Sequence, residues 1–174
     1  MANIALNKPS GGQLILSPED GTSTETVTIP SVGVGKVLQV VNHVNSLNQG
    51  ISSGSGVFVA TNTAATITPL RSDSKIVVFV AQSYFHDGTS EGTGFRLFRD
   101  STPLNIAQGG FSASYNGIYN RVHGYTPLNW VDTPNTTNPI TYTVYAARWG
   151  SAAVELQYAN DQSPSTIIIM EVAA

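Results

Sequence analysis

The chain has 174 residues, 41% of them hydrophobic and only 11% charged, and its 8 basic and 11 acidic side chains give a net charge of −3. Without a basic cluster it offers no footprint for a phosphate backbone, which argues against a nucleic-acid partner. Without a single cysteine it has neither disulfides nor thiolate metal sites. Low charge together with many Thr, Val and Ile argues for β-structure, and it is the opposite of the charged, aromatic-poor composition of disorder.

In chain order, strand candidates recur between Gly, Asn, Asp, Ser and Pro breaks. They are Gln13–Leu16, Thr24–Ile29, Gly35–Val44, Gly56–Thr61, Ala65–Pro69, Ser74–Ser83 and Gly94–Asp100, followed by Thr102–Gly109, Ser112–Tyr119, Val122–Val131, Ile140–Arg148, Val154–Tyr158 and Ser165–Val172. No window of useful length repeats apolar residues at helical spacing. Many short strands with frequent turn signals predict an all-β chain folded as a sandwich or barrel. Residues 1–35 are weakly patterned and hold too few large apolar side chains for a core. They read as an extended N-terminal attachment arm, and residues 36–174 as one β-sandwich domain.

Two strands are apolar on both faces. In SKIVVFVAQS, Ile76, Val78 and Val80 point one way and Val77, Phe79 and Ala81 the other. In STIIIMEV, alternation gives one face of Ile168, Met170 and Val172, expected to fill the sandwich. The other face, of Ile167, Ile169 and Glu171, is expected at a subunit interface. A two-sheet sandwich covers only one face of each sheet, so the second apolar face calls for another subunit or for the arm. Ile167, Ile169, Glu171, Val77 and Phe79 are therefore the candidate interface residues. A carboxylate among isoleucines needs a partner, for which Arg96 and Arg148 are the candidates, unless Glu171 reaches solvent at the sheet edge.

Motifs for chemistry are weak. SVGVGKV (31–37) lacks the first glycine of a phosphate loop, since Pro30 stands there, and Val37 replaces the required hydroxyl residue. His43, His86 and His123 lie far apart without metal-ligand spacing, and no metal or other cofactor is expected. No GxSxG elbow occurs, and the acids Asp73, Asp87, Glu91, Asp100, Asp132, Glu155 and Asp161 stand mostly in turn-like contexts. No catalytic residue is assigned. A glycan hydrolase could only be built from carboxylates on scattered loops. SASYNGIYNRVHGYTPLNW clusters Tyr115, Tyr119, Tyr125 and Trp130 among amides, a mixture that serves either packing or the stacking of a host-surface glycan. Asn135-Thr136-Thr137 fits a glycosylation sequon.

The ordered segments GKVLQVVNHVNS, VFVATNTAATITPLRSDSKIVVFVAQ, FRLFRDSTPL, DTPNTTNPITYTVYAARWGSAAVELQYAND and STIIIMEVAA resemble bacteriophage virion surface proteins of the fibre-head or capsid-decoration type. GGQLILSPEDGTSTETVTIPS is similar to segments that lead into fibre heads. The resemblance covers most of the chain through the order of its segments rather than through one motif. It implies a trimeric jelly roll, in shape like C1q or tumour necrosis factor heads, and hence a homotrimer on a phage particle. Only about 35 residues precede the domain, which favours a decoration (cement) protein or short knob over a full tail fibre. Leu14, Ile15, Leu16, Val27 and Ile29 are then the candidate capsid anchors. The expected partners are the major capsid protein or other virion proteins, with a fibre tip binding host glycans as the alternative. No signal peptide is visible at the N-terminus, and the apolar runs are too short to span a bilayer. The expected location is the virion, after synthesis in the host cytoplasm.

Overall fold

The structure is a computed structural model. It describes residues 13–16, 25–28, 36–87, 91–104, 110, 112–117, 121–151, 154–156 and 163–174. Among these no helix occurs, and thirteen strands do: β1 Gln13–Leu16, β2 Glu25–Thr28, β3 Val37–Asn45, β4 Gln49–Ile51, β5 Val59–Ile67, β6 Lys75–Asp87, β7 Glu91–Arg99, β8 Thr102–Pro103, β9 Ser112–Asn116, β10 Arg121–Asp132, β11 Ile140–Trp149, β12 Val154–Leu156 and β13 Ser165–Val172.

The strands form two antiparallel sheets packed as a β-sandwich, plus a separate β1–β2 ladder pairing Leu14 with Val27. The first sheet is organised by β6, which at thirteen residues is long enough to serve two neighbours on one flank. There β13 pairs along Lys75–Ala81 and the short β12, backed by β4, pairs at Phe85 and His86. β10 runs along the whole opposite flank, and β3 lies outside β13. The second sheet runs β5-β11-β7, with β8 and β9 both on β7. Asp100, at a φ of 51°, turns β7 back into β8, a left-handed conformation that Asp tolerates better than most residues.

Sequence and structure differ in three places for local reasons. The expected strands 56–61 and 65–69 are one strand, β5, whose pairing with β11 shifts register between Thr143 and Tyr145. The bulge lets one strand run through a stretch that reads as interrupted. The expected strand 102–109 is only Thr102–Pro103 within the described residues. β4, with its Gln and Gly, carries too little pattern to be read.

The core lies between the sheets. Ile76, Val78, Val80, Leu128, Ile167 and Ile169 come from one side, facing Ile67, Phe95, Leu97, Tyr142 and Val144 from the other. Burying side chains of this size is worth roughly 1.5–3 kcal/mol each. One polar cluster inside the sandwich is partnered locally. The Asp132 carboxylate accepts from Arg99 Nη1 at 3.0 Å and from the Tyr142 hydroxyl at 2.7 Å. Burial, and then that bond, raise the Tyr142 phenol well above its ordinary range.

The phase of β13 is the reverse of the sequence expectation. Ile167, Ile169 and Glu171 are fully enclosed, while Ile168 is 37% exposed and Met170 and Val172 are partly so. Register explains it: Ile167 and Ile169 stand beside Val80 and Val78, whose own side chains enter the core. These three residues are therefore core, and none is available to another subunit. Glu171 does have a partner set, but neither arginine belongs to it. Its carboxylate accepts from the backbone N–H groups of Leu70 at 2.9 Å and Arg71 at 3.1 Å and from Gln39 Nε2 at 2.6 Å. Arg96 instead stacks over the Phe58 ring, and Arg148 donates to the carbonyls of Ser53 and Gly150.

Candidate functional site: an apolar outer face

Because β13 and β6 send alternate side chains inward, the remainder of both strands lines the outside of the first sheet. Register sets these residues in rows across four strands. Val40, Met170, Val77 and Val131 form one row, and Asn42, Ile168, Phe79 and Asn129 the next. Val44, Thr166, Ala81 and Pro127 form the third. Not one of these twelve positions carries a charge. Several are widely open to solvent: Val40 and Val131 at 57%, Val44 at 49% and Phe79 at 41%. Between β6 and β10, Val77, Phe79, Asn129, Trp130 and Val131 border an open groove of about 380 Å³.

A sheet face exposed to water ordinarily alternates to polar residues. The outer face of the second sheet is closer to that pattern. Thr66 and Thr141 share a hydroxyl hydrogen bond of 2.8 Å, Phe98 and Tyr145 stack on each other at 3.8 Å, and Arg96 lies 3.9 Å from the Phe58 ring centre. Its aromatic rings cover one another, whereas the rings and methyls of the first sheet's outer face have no such cover among the described residues. Contiguous apolar surface of this kind marks a contact site.

The sequence candidates divide accordingly. Val77 and Phe79 stand at the centre of the outer face, and Ile168 and Met170 take the places expected of Ile167 and Ile169. Of the aromatic group, Tyr125 is exposed on β10 while Trp130, five residues along the same strand, packs partly against the core. An odd spacing on a strand sends the two to opposite faces, so they do not converge on one sugar-sized platform. Tyr115 lies on β9, paired with Gly92, and Tyr119 lies outside the described residues. Leu14, Ile15, Leu16 and Val27 lie on β1 and β2, and Ile29 lies outside the described residues. No group of His, Asp and Glu that could hold a metal occurs among the described residues.

The loop joining β5 to β6 fixes this face. Glu171 gathers its backbone N–H groups, so the loop and β13 hold one another in register. Burial pushes the Glu171 carboxyl upward, but the bonds from Leu70, Gln39 and the rest of the loop outweigh it and hold the group below the ordinary carboxylate value. The sequence signalled the acid but not its donors, because backbone N–H groups leave no mark in a residue pattern.

No protein-family model matches the sequence. No curated protein matches it either. Among solved structures, the chain overlays one of infectious bursal disease virus, Gx strain, at a TM-score of 0.45 and 13% identity, covering 99% of this chain and 46% of that one. It overlays the VP2 subviral particle of the same virus at a TM-score of 0.40 and 12% identity, covering 94% and 43%. It also overlays the CBM22-1 xylan-binding domain of Paenibacillus barcinonensis Xyn10C at a TM-score of 0.30 and 11% identity, covering 83% and 99%. The chain spans less than half the length of the two viral chains.

Proposed function

We propose that the protein is a structural component of a bacteriophage particle. It is a homotrimeric surface protein that decorates and cements the capsid or forms a short knob, joined to its neighbours through the outer face of the first sheet and to the shell through residues 1–35. The observation that supports this reading most is the uncharged apolar face across β3, β13, β6 and β10. Interfaces between permanently associated subunits are apolar at their centres, and a groove flanked by Phe79 and Val131 is suited to a neighbour's side chain. The ordered resemblance of the segments to virion surface proteins supplies the setting. A multivalent clamp that binds only the assembled shell stabilises it by mass action.

Deletion of residues 2–30 tests the anchoring half. The truncated protein is expected to remain a soluble trimer and to lose attachment to the shells of the virus that encodes it. Decoration of shells by the truncated trimer would contradict the proposal. The alternative, a fibre tip that binds host glycans, predicts instead that Tyr125→Ala lowers host adsorption while leaving the trimer intact.

A further inference from the structure

A second constellation lies where β6 leads into β7, away from the apolar rows. Alternation sends Gln82, Tyr84 and His86 of β6 inward, where they meet Glu91, Thr93 and Phe95 of β7. His86 is fully enclosed. Its ring stacks on that of Tyr84, centres 6.1 Å apart and planes 12° from parallel, and Tyr84 in turn touches Phe95. Among the described residues, neither Nδ1 nor Nε2 of His86 has a hydrogen-bond partner.

The charged groups around it come from four strands. From β7, Glu91 accepts from Ser151 N at 3.0 Å and Oγ at 3.1 Å, and Gly150, at a φ of 103°, packs against this carboxylate. From β11, Arg148 stands opposite Thr93 with its guanidinium on the Ser53 and Gly150 carbonyls. From β12, Val154 lies opposite His86 and half-buried Glu155 opposite Phe85. From β10, Val122 lies opposite His86, next to the register pair of Arg121 and Asp87. Among the described residues, β12 pairs with β6 at these two positions and β4 backs it with three.

We propose that His86 is an acid-triggered latch: on taking up a proton it drives the β12–β4 ribbon away from β6 and opens this end of the sandwich. The neutral ring stacks on Tyr84. An imidazolium there would be a charge in an enclosed site, a costly state that the nearby Glu91 carboxylate offsets only in part. Burial accordingly holds His86 below its ordinary value, and the pull of Glu91 only partly offsets it. The ribbon gives way because, among the described residues, only two register positions tie it to β6.

The sign follows from linkage. The opened state binds the proton at the ordinary value of 6.5, and the closed state only at a lower one. Closure is therefore fully stable above about pH 6.5 and weakens as pH falls below it, the open-to-closed ratio rising by up to about tenfold per pH unit.

Amide hydrogen exchange on the full chain between pH 8 and 5, corrected for intrinsic rates, reads this at residues 49–51 and 154–156. The wild type is expected to lose protection there below pH 6.5, by up to about tenfold per unit, while His86→Phe and His86→Gln lose none. Protection in the wild type that does not change with pH, or variants that keep the wild-type decline, would overturn the proposal. Should His86→Phe not fold, His86→Gln makes the same comparison. A ring-carbon NMR titration of wild-type His86 reads the proton directly, and a midpoint at or above 6.5 also overturns it.

Discussion

Glu171 is the enclosed charge on which the closing strand depends. Its carboxylate collects Gln39 and the backbone N–H groups of Leu70 and Arg71, so removing it leaves donors stranded in the interior. Glu171→Gln keeps the size but not the charge, and unfolding by denaturant is expected to show a loss of about 1.5–3 kcal/mol. The pH dependence carries a sign. The folded carboxyl sits below its ordinary value of 4.5, so its contribution is complete above that value and is lost as pH falls through the lower, folded one. The acid limb of a stability–pH curve should flatten in Glu171→Gln. An unchanged limb would show that the carboxylate contributes nothing. This limb lies below pH 4.5, whereas the effect assigned to His86 sets in below 6.5.

At the scale of elements, β13 shows what a sequence does and does not disclose. Period-2 alternation in STIIIMEV was legible, and so was the apolar character of both faces. The phase was not. A face bearing a carboxylate reads as the more open one, and only the loop folding back over Glu171 turns it inward. In β6 the two alternating sets were legible, and the structure puts Ile76, Val78 and Val80 inside and Val77 and Phe79 on the outer face. The long central strand and the sandwich were likewise visible in β-branched runs, whereas β4 and the β5 bulge depend on tertiary pairing with β12 and β11. The assignment can be checked by paired substitutions. Ile169→Ala is expected to cost about 2–5 kcal/mol of monomer stability, as truncation in a filled core does. Ile168→Ser on the outer face is expected to cost little in the fold. Equal costs would contradict the phase described here.

At the scale of the whole molecule, the two outer faces are unlike. The second sheet's outer face pairs its hydroxyls and stacks its own aromatics, while the first presents three uncharged rows. In the proposed function, the first sheet's outer face joins copies of the protein and the second sheet's turns to solvent.

The central claim is that this face joins subunits, and sedimentation equilibrium of the wild type and of Phe79→Asp/Ile168→Asp tests it most directly. The wild type is expected at three times the 18.4 kDa chain mass. The double variant, its fold checked by circular dichroism, is expected at one chain mass, since charges buried at an apolar interface are not tolerated. A wild type that sediments as a single chain at micromolar concentration, or a folded double variant that remains a trimer, would contradict the claim.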